Sequence, residues 1–392
     1  MSFSCQWSER VSSFSREDWE RCFDPGNVLT SYSLQQALER SQLVEGFHYL
    51  SLRQEGKLLA IISCFSLSYS LTDLSAPGAQ RLMAGLRKLF PGLLKPRLFM
   101  VGSPLATCTH MLGIVLPPED PGYPDLIRSM EREINRKASE LGIRLLCLKE
   151  FDHRLSQSLA LAWQGRFLVC RSPDTTYVYT RAVAGLDYVE NMRSRYRDVL
   201  KKRKKAFAAA GLRWELVRDF APHVDVLHRL YLNVWQRSRF RFERLTPAFF
   251  HAVNEALGDQ ASVLLCLDGE RIVAFELLLN GQRLHPLYLG VDYDYQGGGA
   301  LYFNCLYRAI EEAQSQRQAL VELGQSSYEA KFSVGAVSAR RYFHIKHAHP
   351  LGHFLLSRFK RWLFPTPRLP APRRVFKCEE AYLQALKSEG VL

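Results

Sequence analysis

The feature that most constrains the fold of this 392-residue chain is an order of structural elements that occurs twice. Residues 49–67 and residues 262–280 each show an apolar run, a short charged segment that contains glycine, and a second apolar run. The charged segments read QEGK at 54–57 and DGER at 268–271, which is typical of a tight hairpin turn. Each half of the chain is therefore predicted to contain an antiparallel β-hairpin.

Further elements follow each hairpin in the same order. They are a third strand, a helix and a short buried strand: 97–104, 125–141 and 143–148 in the first half, and 286–293, 300–316 and 319–323 in the second. Chance hairpins are common, but four matching elements in one order are not. We therefore predict an α/β fold of two pseudo-duplicated lobes, each a mixed, mainly antiparallel sheet with flanking helices.

The predicted domain limits follow from this repeat. Residues 1–175 form the N-terminal lobe and residues 176–350 the C-terminal lobe, with the boundary in the segment 172–186. Residues 351–392 are predicted to be a basic C-terminal tail, whose proline-rich part at 365–374 runs extended over the surface.

Composition places the chain among cytoplasmic globular proteins. The first residues carry charges where an export signal needs an apolar run, so we see no signal peptide. The apolar stretch 58–71 is broken by serines and is too short to span a membrane. The nine cysteines form no CxxC pair and no metal-ligand spacing with histidine, so we predict reduced thiols and no metal site.

The net charge of +13 indicates anionic partners. CoA, a nucleotide-linked substrate, tRNA and an anionic membrane surface all fit, and composition does not choose among them. Near the C-terminus, Leu355, Phe359, Trp362 and Leu363 form an apolar stripe, which we place opposite Arg358, Lys360 and Arg361. Such a basic amphipathic helix lies either on an anionic membrane or on its own domain. The oligomeric state is left open.

A glycine run marks the start of the predicted helix 300–316. Gln296, Gly297, Gly298, Gly299 and Ala300 join the preceding strand to this helix. Glycines at such a junction let backbone N–H groups surround an anion at the helix N-terminus. We predict that this turn binds a phosphate-bearing cofactor; an ordinary flexible loop is the alternative.

A predicted helix over residues 187–210 is basic on one face. Its apolar stripe, from Val189 to Phe207, has helical spacing, and eight lysines and arginines lie between Arg193 and Lys205 with Asp198 as the sole acid. Like charges on one helix repel one another, so an anionic ligand would stabilise them. We predict that Arg197, Lys201, Lys202 and Lys205 bind an anionic part of a substrate; a solvated face is the alternative.

These motifs resemble those of known acyltransferases. The order strand, glycine turn, helix, strand is similar to the pyrophosphate-binding core of the GNAT superfamily of acyl-CoA N-acyltransferases. Over 187–345 the chain resembles the tandem-GNAT, CelD/BioF-like group, which is related to the Fem-type peptidoglycan transferases. The residues that carry this resemblance are Ser194, Arg197, the LKKR run at 200–203, Gly211, the YLNVWQRS segment at 231–238, Gly324, Tyr328, Lys331 and Gly335.

The resemblance implies two GNAT-like lobes and an acyl-CoA co-substrate at the glycine turn. The chain departs from the usual Arg/Gln-x-x-Gly-x-Gly/Ala loop, because here the pattern is compressed to Gln-x-x-Gly-Ala. Fem-type relatives take aminoacyl groups from tRNA and need no such loop. The donor, acyl-CoA or aminoacyl-tRNA, therefore stays open.

Four residues are candidates for catalysis. Glu276 and Glu322 lie on otherwise apolar strands, where a carboxylate is costly unless it is paired or functional. The resemblance implies that a base near this strand accepts the proton of an attacking amine; a buried salt bridge, for Glu276 to Lys331 or an arginine, is the alternative. It also implies that Tyr328 protonates the leaving thiolate and that Lys331 stabilises the oxyanion or binds a phosphate, whereas both are otherwise surface residues.

The resulting hypothesis is a GNAT-type N-acyltransferase, akin to the N-acetyltransferases, that moves an acyl group from acyl-CoA to an amine. The acceptor is a small or anionic molecule held between the lobes. Two alternatives remain: a Fem-type transferase that depends on aminoacyl-tRNA, and a non-catalytic protein that uses the same fold to bind an anionic lipid or nucleic acid.

Overall fold

The computed structural model describes residues 3–68, 96–105, 107, 109–238 and 243–392. Within these ranges one sheet of thirteen strands runs through both halves of the chain. The strands are β1 (Ser4–Ser8), β2 (Gly46–Gln54), β3 (Lys57–Ser68), β4 (Arg97–Val101), β5 (Leu112–Ile114), β6 (Leu145–Phe151), β7 (Leu168–Tyr179), β8 (Leu212–Val217), β9 (Ala261–Asp268), β10 (Arg271–Asn280), β11 (Leu284–Val291), β12 (Leu320–Gly324) and β13 (Val337–His347).

Helices cover both faces of this sheet. They are α1 (Arg16–Cys22), α2 (Tyr32–Arg40), α3 (Tyr123–Glu140), α4 (His153–Ala162), α5 (Tyr188–Asn191), α6 (Ser194–Ala209), α7 (Val224–Arg237), α8 (Pro247–Leu257), α9 (Leu301–Ser315), α10 (Tyr328–Ser333), α11 (Pro350–Leu363) and α12 (Glu379–Ser388). Strand β10 shows why the sheet is covered on both sides. Phe275 and Leu277 pack into one core with α7 and α8, whereas Leu278 packs into another with α9.

Both predicted hairpins form, and their turns explain the glycines. The β2–β3 turn has Glu55 and Gly56 at positive φ (49° and 80°), the conformation of a type I′ turn. The β9–β10 turn has Gly269 at a φ of 57° directly after Asp268, which pairs with Arg271. Two-residue turns of this kind fit the twist of the paired strands, so each register is fixed locally.

The two halves share one plan, as predicted. In the first, β4 pairs antiparallel with β3, the chain crosses over through α3, and β6 pairs parallel with β4. In the second, β11 pairs antiparallel with β10, the chain crosses over through α9, and β12 pairs parallel with β11. The remaining pairings in the sheet are antiparallel. The predicted fold class, two lobes of mainly antiparallel sheet with flanking helices, is confirmed.

The lobes exchange their last strands. After β6 the chain passes through α4 into β7, which pairs with β12 of the second half. After β12 it passes through α10 into β13, which pairs with β6 of the first half. Since β7 and β13 also pair with each other, the central strand order is β6-β13-β7-β12. The predicted limit between residues 175 and 176 falls inside β7, and the domain limits themselves stay a prediction.

The prediction of one basic helix over 187–210 is wrong, because the chain forms two helices there. Asp187 caps α5 in a capping box with Glu190, and α6 begins at Ser194. The break is held from far along the chain. Met192 forms an isolated antiparallel β-bridge with Phe376, and the N–H of Arg193 donates to the carbonyl oxygen of Val375 over 2.9 Å.

The C-terminal segment returns to the core of the second lobe. Residues 365–374 have no regular secondary structure, in keeping with their prolines. Beyond them Val375, Phe376, Tyr382 and Leu386 are buried together with α9 and β12. Residues 351–392 therefore contain both a surface helix, α11, and a packed one, α12.

Candidate active site

Strands β11 and β12 part after a single pairing. Their parallel register contains only Leu284 opposite Val321. The equivalent strands of the first lobe, β4 and β6, stay paired at four successive positions from Leu98–Leu145 to Val101–Leu148. In the second lobe the carboxyl ends of the two strands are therefore not paired with each other, and we call this unpaired region the wedge; in the first lobe the equivalent region is paired.

The glycine turn lies between β11 and α9. Gly298, Gly299 and Ala300 all have a left-handed backbone, with φ of 78°, 81° and 48°. A Cβ atom at Gly299 would come within 2.7 Å of Leu212 Cδ1, so glycine is required there for packing. At Gly298 nothing lies within 4 Å of that position, which leaves open space beside the backbone.

The start of α9 is free to bind an anion. Ala300 occupies the N-cap position and makes no side-chain cap hydrogen bond. Instead, Asn304 steadies the turn from within the helix, since its Nδ2 donates to the carbonyl oxygen of Gly299 over 2.7 Å. Gln296 and Gly297 precede this turn without entering the helix. Uncapped N–H groups and the positive end of the helix dipole favour a negative group at this point.

Helix α6 lies beside α9, and its cations fall into two groups. Arg203 stacks on the Phe303 ring with Cζ 3.3 Å from the centroid, and Lys204 forms an ion pair with Glu311. By contrast, no side-chain hydrogen bond or ion pair is found within the described ranges for the four residues predicted to bind substrate: Arg197, Lys201, Lys202 and Lys205. Arg197, Lys201 and Lys205 recur every four residues and share one stripe.

Glu276 is buried in the middle of β10, next to β11. It pairs in register with Leu289, and its Oε2 has no hydrogen-bond partner among the described residues. Burial raises the pKa of this carboxyl to about 8, against the charge of Lys331, which lowers it. The side chain is thus a buried acid whose protonation changes near neutral pH, a property shared by many catalytic bases.

The charge of Lys331 acts on Glu276, and the charge of Glu276 acts in turn on Tyr302. Lys331 is itself buried in α10, and its Nζ donates to the carbonyl oxygen of Gln325 over 2.7 Å. Burial raises the pKa of Tyr302 to about 12; a hydrogen bond with Ser327 opposes this shift, and the charge of Glu276 adds to it. The cluster therefore joins β10, the first turn of α9 and the beginning of α10.

Sequence reasoning missed Tyr302. The signal was its position in the first turn of the helix that follows the glycine run. The predicted Tyr328 is placed differently. Its hydroxyl donates to the backbone oxygen of Asp174 in β7 over 2.8 Å.

Glu322 is buried beside His285 and Arg283. Its Oε2 is 3.9 Å from Nδ1 of His285 and 4.0 Å from Nη1 of Arg283. Burial lowers the pKa of His285, and the carboxylate of Glu322 opposes that shift. These contacts fit the salt-bridge alternative for Glu322, whereas Glu276 with its unpaired oxygen fits the catalytic one. Both roles stay predictions.

The first lobe reaches the active-site loop through Glu150, which sequence reasoning also missed. Glu150 lies at an irregularity of β6 with a φ of 67°, a strained backbone for a residue other than glycine. Its Oε2 accepts a hydrogen bond from Nε2 of Gln325 over 3.1 Å, and burial raises its pKa to about 7. Gln325 precedes Ser326 and Ser327, both left-handed, so this contact holds the loop that leads into α10, the helix of Lys331.

Other features of the surface lie apart from this cluster. An open groove of about 800 Å³ between α2, β2 and α8 shares no residue with it. Across the described ranges no three histidine, cysteine, aspartate or glutamate side chains are grouped to hold a metal ion, and His344 bonds to Ser156 Oγ at 2.8 Å. In the same ranges no helix is long and apolar enough to cross a bilayer.

Comparison with known proteins finds a family model that matches part of the second lobe. Residues 193–331, from the residue before α6 to Lys331, match the family model of the Acetyltransferase (GNAT) domain. A comparison with curated protein sequences finds no match. The matched segment contains the glycine turn, the wedge, Glu276 and Tyr302.

Most of the chain resembles solved structures in its fold. FemX superposes with a TM-score of 0.55 at 9% identity, covering 91% of this chain and 100% of FemX. A tandem GNAT protein from the clavulanic acid biosynthesis pathway gives 0.51 at 10% identity, covering 89% and 99%. The C-terminal domain of a putative lysylphosphatidylglycerol synthetase from Agrobacterium fabrum gives 0.50 at 12% identity, covering 90% and 98%. At these identities the likeness concerns the fold alone.

Proposed function

We propose that this chain is an N-acyltransferase that binds acyl-CoA in the wedge of the second lobe. It would transfer the acyl group to an amine of an acceptor held between the lobes. The observation that carries the proposal is the single pairing between β11 and β12, next to a glycine turn that opens α9. Within the GNAT superfamily we place the chain with the CelD/BioF-like group, on the motif from Ser194 to Lys331.

The wedge offers what an extended thioester donor requires. Parted strands expose backbone N–H and C=O groups that would otherwise pair, and an unpaired buried group of this kind is costly. An amide-containing chain such as pantetheine can satisfy these groups as a further strand would. Its pyrophosphate would then lie at Gly298 and the uncapped start of α9. In the described part of the first lobe, β4 and β6 stay paired at the equivalent place.

The reaction needs positioning, proton transfer and stabilisation of one negative charge. The lone pair of a neutral amine attacks the thioester carbonyl, a C–N bond forms, and the C–S bond breaks. Glu276 accepts the proton that the amine loses, directly or through water. Lys331 stabilises the negative charge that develops on the oxygen, and Tyr302 gives a proton to the leaving thiolate.

The turn is tested by replacing Gly298 with valine. Wild-type protein saturated with acetyl-CoA should melt at a higher temperature, since a ligand at 100 times its Kd stabilises the folded state by about 2.7 kcal/mol. Gly298→Val should lose that shift, because the side chain fills the open space where the pyrophosphate lies. Differential scanning fluorimetry with and without acetyl-CoA measures both.

The matched control is Gly185→Val. Gly185 has the same φ of 78° and the same open surroundings, but it lies in the turn between β7 and α5. Both variants introduce the same backbone strain, and only Gly298→Val should lose the thermal shift caused by acetyl-CoA. If wild-type protein shows no shift with any acyl-CoA at millimolar concentration, the donor assignment is wrong.

A second candidate function is transfer from aminoacyl-tRNA, as in Fem-type enzymes. The exposed cations of α6 favour it, because Lys201, Lys202 and Lys205 have no acidic partner in the described ranges and lie on the helix next to the glycine turn. Phosphates of RNA, of CoA or of an anionic acceptor would each fit this surface.

The quadruple variant R197Q/K201Q/K202Q/K205Q tests this surface. If it positions an anionic substrate, KM should rise at least tenfold at low salt while kcat changes little. A control variant lacking four exposed cations of the first lobe, R10Q/R21Q/K57Q/R144Q, has the same charge and should keep the wild-type KM. Wild-type kinetics in the α6 variant would show that this face of the helix is only solvated and binds no substrate.

The same pair of variants distinguishes the two donors. Binding of tRNA should fall steeply with salt, since each neutralised phosphate contributes a slope of about −0.7 to −0.9 in log Kobs against log salt. A steep slope that is lost in the α6 variant, together with no thermal shift by acyl-CoA, favours the Fem-type reaction. A thermal shift by acyl-CoA without tRNA binding favours the GNAT-type reaction.

A further inference from the structure

Helix α11 lies on the molecule without a single buried residue. Its inner side is half-buried, with His353, Leu356 and Lys360 turned toward the protein. Two contacts hold it there: the N–H of His347 lies 3.4 Å from Nδ1 of His353, and the Phe364 ring packs edge-on against Phe343 at 5.3 Å. The helix is therefore attached to β13 along one side, and its other side faces outward.

The outward side is apolar. Leu351 is 60% exposed, Phe354 63% and Trp362 64%, with Leu355, Phe359 and Leu363 also exposed beside them. Leu351, Leu355 and Trp362 fall close together on a helical projection, so they form one face rather than scattered positions. The structure corrects the predicted arrangement here. Lys360 turns inward, and Arg358 lies within the apolar face instead of opposite to it.

The surroundings of this face are strongly cationic. The helix and the segment that follows it, residues 350–378, contain seven lysines and arginines and no aspartate or glutamate. Arg358 and Arg361 are exposed on the helix itself, and Arg368, Arg373 and Arg374 follow in the extended segment. A second copy of the chain is a poor partner for this face, because self-association would bring these like charges together.

We propose that α11 is a membrane-docking helix that places its apolar face in the headgroup region of an anionic bilayer. Large aliphatic and aromatic side chains next to arginines are the composition of helices that lie in the plane of a membrane surface. The apolar side chains enter the acyl boundary, and the cations contact lipid phosphates. Trp362, amphipathic and outermost, suits the interface itself. This inference does not depend on the proposed acyl transfer.

Binding to vesicles tests the proposal with the full chain. Wild-type protein should sediment with vesicles of phosphatidylcholine and phosphatidylglycerol in equal parts, and much less with phosphatidylcholine alone. L351Q/F354Q/W362Q should bind the anionic vesicles about 100-fold more weakly, since three large apolar side chains no longer enter the lipid. R358Q/R361Q should bind them about tenfold more weakly, in proportion to the charge removed.

A matched control separates this face from general stickiness. V115Q/L161Q/L216Q removes three exposed apolar side chains elsewhere and should bind like wild type. All six positions are exposed, so the variants should keep the wild-type melting temperature. In addition, the tryptophan emission of the wild-type protein should shift to the blue when vesicles are added. The variant Trp362→Phe should lose that shift, because Trp362 is the tryptophan that enters the lipid.

Several results would overturn the proposal. Wild-type protein that ignores anionic vesicles excludes membrane docking. Equal vesicle binding by L351Q/F354Q/W362Q assigns the affinity to another cationic surface, such as α6. If the wild-type protein does not bind vesicles but binds polyglutamate, and the variant loses that binding, the face belongs to an acidic protein partner. If the wild-type protein instead dimerises with rising concentration and the variant does not, the face belongs to a second copy of the chain.

Discussion

Replacing Glu276 with glutamine should lower kcat by about 10²- to 10⁴-fold, the usual contribution of a general base. The substitution keeps the size of a side chain that has one oxygen without a hydrogen-bond partner, so the fold should tolerate it. The proper comparison is Glu322→Gln. Glu322 is equally buried, but it pairs with His285 and Arg283, so its loss should lower stability more than kcat. Steady-state kinetics and thermal melts of the two variants measure this.

The pH dependence of Glu276 gives an independent readout. The pKa of the carboxyl is raised by burial from 4.5 to about 8, so the wild-type rate should rise with pH until the group is ionised near pH 8. In the Glu276→Gln variant that rise in rate should disappear. Any part of the pH–rate profile that reflects ionisation of the acceptor amine should remain. If both proteins show the same profile, Glu276 is not the base.

Stability should change with pH in the opposite sense. Between pH 4.5 and 8 the unfolded chain has released the Glu276 proton and the folded chain still holds it, so this group makes the protein less stable as pH rises. Glutamine does not titrate. The melting temperature of Glu276→Gln minus that of wild type should therefore be smallest near pH 4.5 and should increase up to about pH 8.

Neither lobe should fold when it is produced alone. A fragment of residues 1–182 contains β7 but lacks both of its neighbours, β12 and β13, and it leaves β6 without β13. A fragment of residues 183–392 retains β13 but lacks β6 and β7 on either side of it. Long unpaired strands lead to aggregation. We expect both fragments to be insoluble separately and to yield soluble, assembled protein when they are co-expressed.

Unfolding of the intact chain offers the complementary measurement. Because the sheet is continuous across the exchange, urea should unfold both lobes in one transition, with fluorescence and circular dichroism superimposed. The tryptophans report on both sides, since Trp19 and Trp163 lie in the first half and Trp214 and Trp235 in the second. Two separated transitions, or a soluble and folded single lobe, would contradict the interlocked arrangement.

The order of elements could be predicted from sequence, and the exchange of strands could not. A hairpin is specified locally by its turn, as at Glu55–Gly56 and Gly269, and a helix by its apolar spacing. Besides β4, β6 pairs with β13, which is far away in the sequence, and no local pattern encodes that second pairing. For the same reason the break between α5 and α6 was missed, since it depends on contacts with Val375 and Phe376.

The active site divides in the same way. The glycine turn and Glu276 stand out in the sequence. A run of three glycines is unusual directly before a helix, and a carboxylate is unusual on an otherwise apolar strand. Tyr302 and Glu150 belong to the same cluster, but a tyrosine on a helix and a glutamate at a strand end are ordinary locally. Their roles arise only when the loop of Gln325–Ser327 is brought between them.

The unequal strand pairing of the two lobes has a consequence for stoichiometry and descent. A duplication of one lobe would at first give two equivalent donor clefts, and hence two donor molecules per chain. Because β4 and β6 are paired, titration calorimetry should find one acyl-CoA per chain, although the two lobes share one plan. The first lobe instead contacts the second through the hydrogen bond that Gln325 donates to Glu150, so a first copy without a donor would be free to take on a supporting role.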